Sequence, residues 1–354
     1  MNPLTSLLGC PLPIIQAPMA GSQDHRLAAA VCRAGGLGSL PAALLMPDAL
    51  DAELTALKAL TDSPYNVNFF AHTPPTADLP REQQWRELLA PFYAEFGVDP
   101  TNIPDGPGRQ PFSAAMAEII ERHRPAVVSF HFGLPAPELL ARVKATGARV
   151  LSSATTVEEG LWLQAQGADA VIAQGLEAGG HRGHFLSSDL SRQLGTFALL
   201  PQLVDALDVP VIAAGGIADA RGVRAALALG AQGVQVGTAY LLSPEATTSR
   251  LHRAALSDAK ARHTALTTLF SGRPARGIVN RLIDTLGARP EGVSPFPLAG
   301  NAIAPLRAAA ERQGSDACSP LWAGQHVGNR QGLGAGELTR LLVEGLGPLA
   351  SKLQ

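Results

Sequence analysis

Short runs of β-branched and apolar residues recur along the chain, and a stretch with helical periodicity follows most of them. The apolar character of each run is nearly unbroken, as expected for strands that are covered on both faces. Several of the helical stretches end in glycine, the residue favoured just past a helix C-terminus. The pattern predicts eight strands, at residues 12–18, 36–42, 65–70, 126–132, 148–153, 169–175, 209–216 and 233–238.

This eightfold β–α alternation predicts an α/β fold, a closed parallel (β/α)8 TIM barrel, with an open doubly wound sheet as the competing fold. Two stretches interrupt the repeat. Residues 71–112 are rich in proline and polar residues and are expected to form an insertion after the third strand. Residues 242–354 are expected to be a helical C-terminal segment packed over the mouth of the barrel domain, residues 1–241. Helices whose only role was to form dimer contacts would show the same pattern, so a homodimer is an alternative interpretation of this segment.

Composition narrows the classes of protein and partner. The chain has 354 residues, 16% of them charged, a formal net charge of −2 and no basic stripe, so nucleic acid is not expected as a partner. Cys10, Cys32 and Cys318 are far apart and form no C-x-x-C motif, which suits a reducing cytoplasm. No signal-peptide pattern and no apolar run of about 20 residues is present, so no membrane association is expected.

The ends of the seventh and eighth strands carry a candidate phosphate site. Gly215 and Gly216 follow the seventh strand, and Gln235, Gly237 and Thr238 lie on the eighth. Barrel enzymes often bind phosphate here, and glycines let backbone N–H groups approach phosphate oxygens. The alternative is that these glycines only shape tight turns.

The end of the sixth strand carries the densest cluster of candidate chemistry. Gln174, Glu177, the pair Gly179–Gly180 and His181 follow one another here. An imidazole over the barrel mouth can transfer protons or hydrogen-bond an anionic substrate. The alternative is a histidine that caps a turn. Glu177 is either a second acid–base group or an anchor for the loop.

Three further residues lie at strand ends. His131 is either a substrate-pocket residue or a buried histidine with a backbone partner, and both Phe130 and Phe132 are expected on the opposite strand face. Asn68 suits a flavin ring or a phosphate, or else caps a turn. Met19 either packs against a flat cofactor ring or belongs to the core.

Other chemistries find no support in the sequence. The remaining histidines form no metal-ligand spacing, so no metal is expected. Neither a G-x-S-x-G element nor a phosphate-binding G-x-x-x-x-G-K-[ST] loop occurs.

These elements together resemble one family. PIIQAPMAG (13–21), NVNFF (66–70), SFHFG (129–133), QGLEAGGHRG (174–183), AAGGIAD (213–219) and QVGTAYLLSPE (235–245) are similar, in this order, to class I nitronate monooxygenases, once called 2-nitropropane dioxygenases. The resemblance runs from about residue 8 to residue 285, and WAGQ (322–325) also fits.

The resemblance implies an FMN-dependent barrel enzyme that oxidises alkyl nitronates with O2 to a carbonyl compound and nitrite. It implies that His181 is the active-site histidine. It also implies that the following residues contact FMN: Asn68, Gln174, Gly179, Gly216, Gln235, Gly237 and Thr238. Neutral nitroalkanes are further candidate substrates if His181 removes the α-proton.

One segment departs from the family. Class I members line the substrate pocket with tyrosines and a lysine in the C-terminal segment, whereas residues 294–306 contain neither. A small nitronate with its own carboxylate is therefore not the expected substrate. Two alternatives remain open, an FMN-dependent NAD(P)H reductase (of enoyl-acyl-carrier-protein or quinone) and a flavin-binding regulatory protein without turnover.

Overall fold

The computed structural model describes residues 2–76, 78–103, 108–328 and 332–347. Eight parallel strands form one sheet in the order β1-β9-β8-β6-β5-β4-β3-β2. A parallel bridge between Ile15 and Leu37 joins the two edge strands, so the sheet curls into a barrel. Its strands are β1 (Ile14–Gln16), β2 (Gly38–Pro41), β3 (Tyr65–Phe70), β4 (Val127–His131), β5 (Arg149–Ala154), β6 (Ala170–Gln174), β8 (Val211–Ala214) and β9 (Gly233–Val236).

All eight predicted strands are confirmed as the strands of this barrel. Helices surround it, and side-chain caps begin several of them, as Asp219 does by accepting hydrogen bonds from the N–H groups of Arg221 and Gly222. The α-helices in the described ranges are α1 (Pro3–Leu8), α2 (His25–Arg33), α3 (Pro47–Leu60), α4 (Leu79–Phe96), α5 (Ala114–His123), α6 (Pro137–Ala145), α7 (Val157–Ala165), α8 (Thr196–Ala206), α9 (Ala220–Ala228), α10 (Arg250–Ser257), α11 (Arg281–Leu286), α12 (Ala299–Arg312) and α13 (Ala335–Val343).

Successive side chains along each strand point alternately into the barrel and outward, so the barrel has an inner core and an outer core. Ile172 packs inside the barrel with Ile212, above Leu4 of α1. Val171 and Val211 point outward against the helices. Continuing along the inner faces, polar side chains replace apolar ones towards the C-terminal ends of the strands, where Asn66, Asn68, Ser129, Ser153 and Gln174 are buried. The barrel is therefore apolar at its base and polar at its mouth.

The insertion after β3 is held by the C-terminal segment. Its helix α4 packs on α12, and Trp85 Nε1 donates to the Ala299 carbonyl at 3.1 Å while the Tyr93 hydroxyl donates to the Ala302 carbonyl at 2.8 Å. Buried aromatic side chains that find polar partners in this way fix the position of the insertion on the barrel.

The segment after β9 contains helices α10 to α13, as predicted, but also two strands that the prediction of a helical segment did not include. Strands β10 (Thr264–Thr267) and β11 (Ala275–Ile278) form an antiparallel hairpin, and β11 also pairs with β7 (Gly180–His181). Ala275 is the partner of His181 in that pairing. Strands β10 and β11 have only four residues each and β7 has two, which explains why the sequence pattern did not reveal them.

Candidate active site

A cavity opens at the C-terminal mouth of the barrel, where barrel enzymes have their active sites. All twelve site residues predicted from the sequence line it. They are Met19, Asn68, His131, Gln174, Gly179, Gly180, His181, Gly215, Gly216, Gln235, Gly237 and Thr238. The structure thus brings together residues from β1, β3, β4, β6, β8 and β9, although their roles toward a ligand stay predictions.

One end of this cavity presents free backbone donors. The N–H groups of Gly215, Gly216, Gly237 and Thr238 donate no hydrogen bond to any described residue. Gly215 and Gly216 have φ values of 115° and 72°, which disfavour side chains. The buried Oε1 of Gln235 also lacks a partner among the described residues. Unpaired N–H groups that line one cavity, together with an unpaired amide oxygen, are suited to hold the phosphate and the ring edge of a mononucleotide such as FMN. We call this the phosphate end.

Hydrogen bonds of two polar side chains, Gln174 and Glu177, fix the loop after β6. Gln174 donates from Nε2 to the His181 carbonyl at 2.9 Å and accepts from the Gly183 N–H at 2.8 Å. The Glu177 carboxylate accepts from the N–H and hydroxyl of Thr196, both at 2.8 Å. Of the two interpretations of Glu177, the geometry therefore supports the anchor.

Met19 and Asn68 are held in place beside the cavity. The Met19 N–H donates to Gln23 Oε1 at 2.8 Å, and its half-buried side chain also packs against the core. Asn68 Nδ2 donates to the Ser129 hydroxyl at 3.0 Å, which leaves its carbonyl oxygen as the group available to a ligand. Gly179 packs against the backbone of Gly324, where a Cβ would lie 2.5 Å from the nitrogen. This glycine is therefore required for close packing, while its contact with a ligand stays a prediction.

The other end of the cavity is built around two histidines. His131 Nδ1 lies 3.0 Å from the Ser153 hydroxyl, and its Nε2 lies 3.1 Å from the His181 carbonyl. Both ring nitrogens of His131 are thus occupied, and the ring supports the loop that carries His181. His181 Nε2 lies 2.9 Å from the Ser271 hydroxyl, and its Nδ1 has no hydrogen bond within the described chain. We call this the histidine end.

Phe132 does not follow the regular strand. The strand ends at His131, and Phe132 has a φ of 71°. Its ring therefore turns over the mouth, 6.0 Å from the His181 ring and 5.4 Å from the Phe296 ring. The expectation that Phe132 lies on the opposite face of the strand was wrong, whereas Phe130 is buried in the outer core as expected.

The histidine end is electropositive and partly shielded from water. Arg109 lines the cavity, and Arg273 lies over the Phe132 ring at 4.1 Å. Neither arginine forms a salt bridge with a described residue. Burial, reinforced by the charge of Arg109, lowers the pKa of His181 well below its ordinary value. Burial likewise lowers the pKa of His131 to about 4. Both rings are therefore neutral at neutral pH.

Sequence reasoning missed the groups that distant segments bring to this end. Arg109 comes from the insertion, Ser271 and Arg273 come from the turn of the β10–β11 hairpin, and Trp322 lies 5.6 Å from the His181 ring. No local motif marks Arg109, Ser271 or Arg273, whereas Trp322 begins the WAGQ motif, to which the sequence assigned no role. Only the predicted position of the C-terminal segment over the mouth could have suggested that its polar residues reach the site.

Other kinds of site find no support in the described part of the chain. It contains no group of three or more histidine, cysteine, aspartate or glutamate residues arranged to hold a metal ion. None of the helices in the described ranges is long and apolar enough to span a membrane. The fold and the cavity define the class of a TIM-barrel protein whose mouth holds unpaired backbone donors at one end and a neutral histidine at the other.

Comparison of the sequence and the structure with known proteins identifies a family within this class. A model of the nitronate monooxygenase family matches residues 1–345. A nitronate monooxygenase from Paraburkholderia phytofirmans is 44% identical over 96% of this chain and 93% of its own length. Among solved structures, a nitroalkane oxidase from Streptomyces ansochromogenes aligns with a TM-score of 0.88 and 40% identity over 99% of both chains. FabK from Thermotoga maritima aligns with a TM-score of 0.74 and 26% identity, over 100% of this chain and 98% of its own.

The chain belongs to the nitronate monooxygenase family. It is accordingly an enzyme, an oxidoreductase, built on a TIM barrel. The family resemblance drawn from the sequence motifs is confirmed.

Proposed function

We propose that this enzyme oxidises alkyl nitronates with O2 to a carbonyl compound and nitrite, and that FMN is its cofactor. The observation that carries the proposal is the arrangement of one cavity, with free backbone donors at the phosphate end and a neutral histidine beside arginines at the histidine end. The first suits a mononucleotide phosphate, and the second suits a small anion.

The residues that would hold FMN divide by chemistry. The N–H groups of Gly215, Gly216, Gly237 and Thr238 would bind the phosphate, as such groups do in many barrel enzymes. The unpaired amide of Gln235 would contact the ring system. The absence of a G-x-G-x-x-G fingerprint favours FMN over a dinucleotide. When bound, the flavin would accept electrons from the substrate and pass them to O2.

The side chains at the histidine end would bind and orient the substrate. Arg109 and Arg273 attract an anion into a site where burial strengthens electrostatic interactions. In the tautomer whose proton is on Nδ1, with Nε2 accepting from the Ser271 hydroxyl, His181 would hydrogen-bond the nitronate oxygens. With a neutral nitroalkane, Nδ1 of His181 would accept the α-proton, since that atom has no other described partner. Phe70 and Phe132 exclude water from this end.

The experiment compares electron donors on the purified yellow protein. We expect nitronates to reduce the flavin in anaerobic stopped-flow, and nitrite to form on aerobic turnover. We expect FMN to be the one flavin released on heat extraction. Fast flavin reduction by NADH or NADPH, with slow reduction by nitronates, would instead support the NAD(P)H-dependent reductase. Recovery of stoichiometric FAD would contradict the cofactor assignment.

A further inference from the structure

A second cavity adjoins the histidine end. Phe70 and Arg109 line both cavities. The second one has a volume of about 450 Å³, which is within the size range of small-molecule sites. It lies between the loop after β2, the end of the insertion, the start of α5, and α12 with the hairpin turn.

The wall of this cavity is mostly apolar. The six residues 42–47 contribute alanine, leucine, methionine and proline side chains, and phenylalanines come from three other segments. Some of the polar side chains in the wall are already occupied. The Ser271 hydroxyl is bonded to His181, and the Ser113 hydroxyl caps α5 by accepting from the Met116 N–H. A cavity of this kind gains more from an apolar ligand than from water.

Two large apolar side chains mark its rim. Leu44 and Met46 are 48% and 72% exposed, although both belong to the wall. Exposed apolar residues next to a concave apolar site are typical of a ligand entrance. Arg109 stands at the junction with the first cavity, close enough to His181 for its charge to lower the pKa of that ring. A ligand with a charged head group and an apolar tail could therefore place its head in the first cavity and its tail in the second.

We propose that the second cavity binds the alkyl tail of the substrate, so that the preferred nitronates are linear and long-chained rather than small or carboxylated. This proposal rests on the proposed function for the identity of the head group. The nitronate head would lie at His181 and Arg109, and the methylene chain would pass Phe70 into the wall formed by Ala43, Met116 and Gly300. From residues 294–306, Pro297 and Gly300 add to the apolar wall that would receive the tail, beside Asn301.

The first experiment measures kcat/KM for nitronates of linear 1-nitroalkanes from two to eight carbons. Each methylene buried by the cavity should raise kcat/KM by roughly twofold to fourfold until the cavity is filled. A series that is flat or falls with length, measured on an enzyme that turns over the short members, would overturn the tail site while leaving the proposed function intact.

Gly300 offers a matched pair of variants. It lies in α12, and the nearest atom to an added Cβ, outside the helix's own backbone, would be the Phe270 carbonyl oxygen at 3.8 Å, so a Cβ is accommodated there. Gly300→Leu should fill the cavity and abolish the increase of kcat/KM with chain length. Gly300→Ala raises the helix propensity about as much as Gly300→Leu but adds little volume. It should therefore retain the increase of kcat/KM with chain length. Equal slopes in the two variants would contradict the proposal.

A binding measurement separates this proposal from the chemistry. Linear carboxylates from acetate to octanoate carry a planar anionic head, and calorimetry on the flavin-loaded protein gives their Kd without turnover. Affinity should rise with chain length in the wild type and in Gly300→Ala, and stay flat in Gly300→Leu. Met116→Trp, which fills the cavity from α5, replaces Gly300→Leu if that variant does not fold. Length-dependent binding without nitronate turnover would support the tail site and refute the proposed function, whereas length-independent binding would refute the tail site.

Discussion

The two ends of the active-site cavity are built on different principles. The phosphate end consists of backbone donors at Gly215, Gly216, Gly237 and Thr238, which the barrel strands β8 and β9 position directly. The histidine end consists of side chains that hold one another. His181 is paired in a small sheet with the β10–β11 hairpin, and its ring is bonded to Ser271 in the turn of that hairpin.

This difference assigns a separate task to each end. The phosphate end is a preformed site with unsatisfied donors, so it should control the affinity for the flavin. The histidine end holds the ring of His181 through bonded side chains and leaves its Nδ1 without a described partner, so it should control the rate at which substrate reacts. Substitutions at the two ends should therefore change different measurements.

The largest effect is expected at His181. Asparagine retains a hydrogen-bonding side chain but cannot take up a proton, so in His181→Asn flavin reduction by a neutral nitroalkane should slow by roughly 10²–10⁴-fold. Reduction by the preformed nitronate should slow less, because no proton has to be removed. Anaerobic stopped-flow with both substrates measures the difference.

A second histidine provides the control at the opposite end. His326 is exposed and contacts the Gly216 carbonyl through Nδ1 at 3.2 Å. His326→Asn should leave the rate of flavin reduction within a few-fold of the wild type. Because the pKa of His181 lies well below 6.5, the ratio of wild-type to His181→Asn rates should be constant between about pH 6.5 and 9. A ratio that falls toward pH 6.5 would mean that this histidine titrates there and is not held neutral.

Sequence reasoning succeeded at one end and was incomplete at the other for the same physical reason. Each strand end of a parallel barrel points to the same mouth, so Gly216 and Gln235 could be placed together from their positions on the repeat. Arg109 and Ser271 reach the mouth through an insertion and a hairpin whose paths depend on tertiary packing, for example on the bond from Trp85 to α12. Periodicity carries no information about such paths. The same limit explains why Phe132, which leaves the strand with a positive φ, was assigned to the wrong face.

An intermediate effect is expected at the phosphate end. Gln235→Leu removes an amide whose buried Oε1 has no described partner, so the flavin-free protein should be as stable as the wild type or more stable. The same change should weaken FMN binding by roughly tenfold, since the flavin loses one hydrogen-bonding group. Flavin titration and thermal denaturation of the flavin-free protein measure the two quantities.

Gln16→Leu is the matched control for that variant. Gln16 is also a buried glutamine at the barrel mouth, but its Oε1 accepts from the Ser39 N–H at 3.0 Å and its Nε2 donates to Gln23 Oε1 at 2.6 Å. Its loss leaves a buried donor unpaired and should cost about 1–3 kcal/mol of stability. If Gln235→Leu destabilises the flavin-free protein as much, the Gln235 amide is part of the scaffold and not of a flavin site.

The smallest effect, and the finest test of the histidine end, concerns Ser271. Its hydroxyl has one proton, and when that proton is donated to the Arg273 carbonyl at 3.3 Å, Oγ accepts from Nε2–H of His181. Nδ1 is then left without a proton and can act as the acceptor. Ser271→Ala removes this bias between the two ring tautomers. We expect flavin reduction by neutral nitroalkane to slow by roughly threefold to fivefold, and reduction by nitronate to change by less than twofold. A purely structural role for Ser271 would slow both substrates equally, and Ser271→Thr, which keeps the hydroxyl, should restore the nitroalkane rate.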